Sequence, residues 1–183
     1  MTHLCPWWLG YSFDNSLRRV FHRPEQILAP YVKEGMKVID IGCGMGFFSI
    51  GMARLVGDQG LVISVDLQQK MLEVLERRAR KAGVAHRIRF HHCEKDIIGV
   101  HERVDFALTF WMVHEVPDPG TLMRQLYRIL KPGARLLLVE PKLHVSHSQF
   151  QQVVVSAGSA GFQLCEYPSI GLSRAALFDT STT

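Results

Sequence analysis

The stretch Val38-Ile39-Asp40-Ile41-Gly42-Cys43-Gly44-Met45-Gly46-Phe47-Phe48-Ser49 reads as a buried strand, a glycine turn and the start of a helix. Its apolar residues run up to the turn, as they do in a strand covered on both faces. Glycine is needed where the chain reverses at positive φ and where a ligand must reach bare backbone. A dinucleotide-binding loop would read GxGxxG, with its last glycine at the position of Phe47, whereas the spacing here is GxGxG. Asp66 follows Gly46 by 20 residues, at the end of the next apolar run, Val62-Ile63-Ser64-Val65-Asp66-Leu67. A carboxylate at that place can accept both hydroxyls of a ribose laid across the strand tips.

Outward from this unit, short apolar runs alternate with longer helical patterns, which predicts a parallel sheet wrapped by helices. Five buried strands are predicted at Lys37–Ile41, Leu61–Asp66, Arg87–His92, Val104–Phe110 and Arg135–Glu140, and two closing ones near Phe162–Tyr167 and Ala175–Phe178. The clearest helix is Asp118–Leu130. Asp118 suits the N-cap and Pro119 the first helical position, Leu122, Leu126, Ile129 and Leu130 share one face, and Lys131-Pro132-Gly133 stops it. Gln68–Ala82 repeats the pattern with Met71, Leu75, Ala79 and Ala82, and its basic end Arg77-Arg78-Ala79-Arg80-Lys81 reads as a solvated face. The first 35 residues differ: Trp7, Trp8, Tyr11 and Phe13 precede a predicted helix from Ser16 to about Tyr31, interrupted near Pro24. The expected division is an aromatic and helical cap, 1–35, ahead of one domain, 36–183.

With 183 residues, 47% hydrophobic and 21% charged, the chain has the size and apolar content of one folded domain. A net charge of +4 and the lack of an appended nucleic-acid module argue against a nucleic-acid partner. Cys5, Cys43, Cys93 and Cys165 stand far apart with no CxxC pair, and the start lacks the pattern of a secretion signal, so a reducing, cytoplasmic setting is expected. No apolar stretch approaches the ~20 residues that cross a bilayer.

The sequence resembles the class I S-adenosylmethionine-dependent methyltransferases, in particular their small-molecule branch. The resemblance spans Gly35 to Phe178 and is carried by Asp40 to Phe47, by Asp66, by Asp105 with Phe106 to Phe110, and by Leu130-Lys131-Pro132-Gly133-Ala134. It implies an α/β, Rossmann-like seven-stranded sheet of order 3-2-1-4-5-7-6, the seventh strand antiparallel, with helices on both faces. It also implies S-adenosyl-L-methionine as cofactor and S-adenosyl-L-homocysteine as product. The glycine loop, Gly42, Cys43, Gly44, Gly46 and Phe47, would face the methionine part, with Asp40 ordering it. Asp66 and Leu67 would hold the ribose, Cys93 and Glu94 the adenine end, and Phe110 and Trp111 would lie along the cofactor.

Ligands of open α/β sheets bind beyond the carboxyl ends of the strands, which draws attention to Trp111, His114 and Glu115 after the fourth and to Glu140, His144 and His147 at and after the fifth. A hydroxyl acceptor needs a base, and an imidazole, with an unperturbed pKa of roughly 6.5, has that chemistry. His114 is therefore the candidate base, with Glu115 able to tune or replace it; a plain hydrogen bond from His114 to a loop carbonyl is the competing role. Adjacent residues of a strand point to opposite faces, so His91 and His92 are not placed to share a metal ion. The expected partner is a small-molecule acceptor, and a homodimer stays open. Two other functions compete: an NAD(P)-dependent oxidoreductase, against which Phe47 and the lack of a TyrxxxLys pair lying wholly on a helix argue, and a catalytically inactive cofactor-binding partner subunit.

Overall fold

The computed structural model describes residues 22–180. In chain order they form α1 (Pro24–Leu28), β1 (Lys37–Ile41), α2 (Phe47–Val56), β2 (Leu61–Asp66), α3 (Gln69–Lys81), β3 (Ile88–His92), β4 (Val104–Phe110), α4 (Pro119–Ile129), β5 (Leu130–Pro141), α5 (His147–Ser159), β6 (Phe162–Glu166) and β7 (Ser173–Thr180). One sheet of order β3-β2-β1-β4-β5-β7-β6 results. The first five strands pair in parallel, and β7 lies antiparallel between β5 and β6.

Alternation along the strands explains the layering. Along β5, Leu136 and Leu138 join one apolar cluster while Leu137 and Val139 join another, and Val38 and Ile39 of β1 divide the same way. The first cluster is filled by α4 (Leu122, Met123, Leu126, Ile129) and α5 (Phe150, Val153, Val154, Ala157). The second is filled by α1 (Leu28), α2 (Phe48, Met52, Ala53, Val56) and α3 (Leu72, Leu75, Ala79). Continuous apolar runs are thus what a sheet covered on both faces requires.

β1, β2 and β4 occupy the predicted residues. β5 begins earlier than predicted because Leu130 pairs with Val104 and the ladder resumes, after an irregularity, at Arg135 opposite Phe106. Lys131-Pro132-Gly133 therefore ends α4 by turning straight into the strand. Asp118 caps α4 as predicted, its side chain accepting the Thr121 N–H at 3.1 Å. Of the predicted helix 16–31, residues 22–31 are described and only α1 is helical among them, with Pro24 as its first residue. Trp7, Trp8, Tyr11 and Phe13 lie outside the described residues. At the edge opposite the glycine loop, Asp105 accepts the Lys37 N–H at 2.9 Å and pairs with Lys131 at 2.6 Å, which ties the starts of β1, β4 and β5 together.

Candidate active site

The glycine turn is braced from β2. Gly42 N–H and Cys43 N–H both donate to the Val65 carbonyl, at 2.8 and 3.0 Å. Asp66, 8% exposed, accepts the Gly44 N–H on Oδ2 and the Gln68 N–H on Oδ1, both at 2.8 Å. From behind, Arg78 of α3 donates to the Met45 carbonyl at 3.0 Å. One residue of the basic run read as a solvated face thus anchors the loop. Burial is the main influence on Asp66 and raises its pKa, against the lowering effect of those N–H donors. Beneath the turn, Ser64 donates to Ser49 at 2.8 Å and Ser49 to the buried Asp40 at 2.5 Å, which joins the start of α2 to β1 and β2.

Two glycines have different duties. At Gly44, φ is +53° and an added Cβ would meet nothing within 4 Å, so the backbone there opens into free space. At Gly46, φ is +81° and a Cβ would fall 1.9 Å from Leu75 Cδ1, so this glycine lets α3 pack against the turn.

A cavity of about 230 Å³ opens beside Gly42 and Gly44 at the carboxyl ends of β1, β2 and β4. Of the residues proposed from the sequence, Gly42, Gly44, Asp66, Leu67, Cys93, Glu94, Trp111 and Glu115 line it. Asp40 lies beneath the turn, Gly46 packs on Leu75, and Cys43 and Phe110 are buried in the cluster on the α2 side, where Phe110 stacks on Phe48 at 4.0 Å. Phe47 sets its ring edge-on to Phe48 at 5.3 Å. These residues support the cavity wall without forming it. Sequence reasoning passed over Met112 and Val116 and gave Asp118 only the cap of α4, and all three line the cavity after β4. The lining carries five carboxylates, Asp66, Glu94, Asp96, Glu115 and Asp118, and one ammonium, Lys95. Burial first, and the charge of Asp66 second, push the Cys93 thiol up to about 11, so it lines the cavity as a neutral SH group.

After β4 the chain turns sharply at Trp111, a non-glycine residue at φ 60°, whose indole N–H donates to Ser173 at 2.9 Å. A left-handed conformation at a large residue costs energy and concentrates at functional sites. It brings the following residues back toward Glu140, the fully buried carboxylate near the end of β5. Glu140 accepts the N–H groups of Val113 and His114 at 3.0 and 3.2 Å, and His114 Nδ1 at 2.6 Å. Burial lowers the His114 pKa, but the hydrogen bond and charge of Glu140, with the charge of Glu115, outweigh it, so the net shift is upward. His114 therefore bonds a side-chain carboxylate, not the loop carbonyl considered from the sequence, and its ring stands 6.4 Å from that of His144. It lies outside the cavity lining, next to Glu115, which belongs to it. His91 and His92 are spent on different carbonyls, those of Ile98 and Leu67, at 2.8 and 2.9 Å.

The fold recurs in a solved S-adenosylmethionine-dependent methyltransferase from Aquifex aeolicus, with a TM-score of 0.86 and 23% identity over 96% of this chain and 98% of the other. Among curated proteins, the 2-phytyl-1,4-naphtoquinone methyltransferase of Synechococcus elongatus is 36% identical over 151 residues, 77% of this chain and 64% of the relative. The ubiquinone/menaquinone biosynthesis C-methyltransferase UbiE of Haemophilus ducreyi is 33% identical over 110 residues, 60% of this chain and 42% of that protein. The chain thus spans less than two thirds of the length of either relative. A family model described as a methyltransferase domain matches residues 32–166, from just before β1 to the end of β6, and on that match the chain belongs to the methyltransferase-domain family.

Proposed function

We propose that the chain binds S-adenosyl-L-methionine in the cavity beside Gly44 and transfers its methyl group to a small organic acceptor, the class to which the quinones in the relatives' names belong. The observation that carries this reading is the charge of the wall: five carboxylates and one ammonium in a chain whose net charge is +4. Such a wall attracts a cation and repels a pyrophosphate. That argues for a sulfonium cofactor over a nicotinamide dinucleotide, as does Phe47 in place of the last glycine.

The residues present suit the cofactor. The open space at Gly44 would let a ligand lie against the bare backbone of the turn, Asp66 and Leu67 would hold the ribose, and Cys93 and Glu94 would border the adenine. Trp111, Met112 and Glu115 would flank the methionine part. Bound there, the cofactor supplies an electrophilic methyl carbon on sulfur, which an electron-rich acceptor atom takes by in-line displacement, leaving S-adenosyl-L-homocysteine. The chain's own task is alignment, exclusion of water and, for a hydroxyl or a ring carbon activated through one, removal of a proton. Glu140, itself held by two backbone N–H groups, fixes the imidazole of His114 through Nδ1 and strengthens it as a base at Nε2. His114 would be the catalytic base and Glu140 the positioning residue. The residues ahead of α1 would cap the acceptor side, since His22, where the described chain begins, sets its ring edge-on to Phe110 and Trp111 at 5.2 and 5.1 Å.

Among the described residues no helix is long and apolar enough to cross a membrane; a cytoplasmic location and a small-molecule partner belong to this proposal. Calorimetric titration with S-adenosyl-L-homocysteine and with NAD(H) tests it. Micromolar-range binding of the first and none of the second is expected, and the reverse result overturns the assignment.

A further inference from the structure

We infer that the loops after β5 and before β7 form a docking surface for an anionic lipid bilayer. Both loops lie at the sheet end that carries the cavity, because β5 ends at Pro141 and the antiparallel β7 begins at Ser173 opposite it. They form one platform: Lys142 N–H donates to the Leu172 carbonyl at 3.0 Å, and Arg174 donates to the Val145 carbonyl at 2.9 Å. From this platform three large apolar side chains project into solvent, Leu143 at 90% exposure, Tyr167 at 52% and Leu172 at 49%.

Leu172 sits at φ 58°, a conformation leucine resists, and half of its side chain stays exposed. A strained residue that leaves an apolar side chain half exposed points to a functional role for that side chain. Around these tips stand two cations, Lys142 and Arg174, with the imidazoles of His144 and His147 nearby in sequence, and from Pro141 to Phe178 the chain holds a single acid, Glu166. A groove between the loops and α5 is lined by Lys142, His147, Phe150, Tyr167, Ile170 and Arg174, with no carboxylate among its lining residues.

Cations at the level of exposed leucine and tyrosine match the two layers of a membrane surface, anionic headgroups above acyl chains. A nucleic acid would engage the cations but has nothing for exposed aliphatic tips. The surface adjoins the cavity wall through the Trp111–Ser173 hydrogen bond, so a chain docked there meets an acceptor dissolved in the lipid without waiting for it to enter water. The surface rests on its own residues; only its use in delivering an acceptor rests on the proposed function.

The test is co-sedimentation of the full chain with vesicles of phosphatidylcholine alone and of phosphatidylcholine with about one third phosphatidylglycerol. Partition onto the anionic vesicles at least about tenfold stronger, and weakening with added salt, is expected. Leu143→Glu and Lys142→Glu should each reduce it about tenfold or more while leaving S-adenosyl-L-homocysteine affinity unchanged. Equal partition onto both vesicles, no binding, or binding that neither substitution weakens overturns the proposal. So does displacement by millimolar inorganic phosphate, which would make the groove a small-anion site. Vesicle binding by a chain that does not bind S-adenosyl-L-homocysteine would sink the proposed function and leave the surface standing.

Discussion

Asp66→Asn probes the centre of the site with the least disturbance to the fold. In the native chain each carboxylate oxygen accepts one backbone N–H at 2.8 Å, from Gly44 and from Gln68. An amide keeps one acceptor and turns a donor toward the other N–H, so one charge-assisted hydrogen bond, worth roughly 1.5–3 kcal/mol, is lost. Against this loss stands burial, which raises the Asp66 pKa in spite of its donors. A native pKa above the unfolded one means that the group's contribution to stability is full below the ordinary carboxyl range and is lost as pH rises through the raised value. At neutral pH the ionised group is therefore held against its own desolvation, and a neutral amide recovers part of that cost. A net destabilisation of about 1–2 kcal/mol is expected, a fall of several degrees in Tm for a domain of this size. The cofactor responds differently. With Asp66 as the proposed ribose acceptor, the two hydroxyls would lose a charged partner, together about 3 kcal/mol or more, and affinity should fall about a hundredfold or more. Thermal melting and calorimetric titration with S-adenosyl-L-homocysteine on the same sample separate the two effects. A folded variant that binds within about threefold of the native chain would remove Asp66 from the ribose site.

Gly44→Val places a β-branched side chain at φ +53°, into space that no protein atom fills; stability should fall by about 1–2 kcal/mol and cofactor binding should vanish. Normal binding by the folded variant would mean that the ligand does not approach this backbone. His114→Ala should slow methyl transfer from a hydroxyl-activated acceptor by roughly 10² to 10⁴ and leave cofactor affinity unchanged. Because Glu140 raises the His114 pKa, the native rate should climb with pH through a midpoint above 6.5, the ordinary imidazole value, and Glu140→Gln should move that midpoint down. The stability contributed by the His114–Glu140 pair is full below 6.5 and fades as pH rises through the raised value; a pH–rate profile that Glu140→Gln does not shift refutes the coupling. Deleting residues 1–15 should preserve S-adenosyl-L-homocysteine affinity but lower turnover or change acceptor choice; loss of the fold would place those residues in the core instead.

The sheet was legible because burial on both faces writes itself as unbroken apolar runs. Val38-Ile39 and Leu136-Leu137-Leu138-Val139 need no helper to be read as strands, since adjacent residues serve opposite clusters. The glycine loop was legible for a related reason: positive φ at Gly42, Gly44 and Gly46 leaves a compositional trace. What the sequence hid is contact between residues distant along the chain. Glu140 stands 26 positions beyond His114, and only the parallel pairing of β4 with β5 brings its carboxylate to the turn after β4. Arg78 reads as one more surface cation until α3 is seen to carry it to the Met45 carbonyl. Asp105, one of the residues through which the chain resembles methyltransferases, turns out to tie the starts of three strands at the far edge of the sheet. Its likeness is to a fold, and its chemistry is structural.

Net charge misleads most. A total of +4 conceals an acidic cavity wall of five carboxylates and one ammonium, beside a run from Pro141 to Phe178 that holds two cations, Lys142 and Arg174, and one carboxylate. The carboxylates lie at the end of β2 and after β3 and β4, and the two cations, Lys142 and Arg174, just after β5 and at the start of β7. Sheet order converts position along the chain into position along one edge, so the two regions lie side by side and do not mix. A cation is drawn to one half of that edge and an anionic surface to the other, with Trp111 and Ser173 hydrogen-bonded between them. Salt of physiological strength screens exposed charges beyond about 8 Å, so the influence of each half on the other is confined to their shared border. The separation therefore predicts independence: substitutions at Lys142 or Arg174 should leave cofactor affinity alone, and Glu94→Gln or Asp96→Asn should weaken cofactor binding without changing partition onto anionic vesicles.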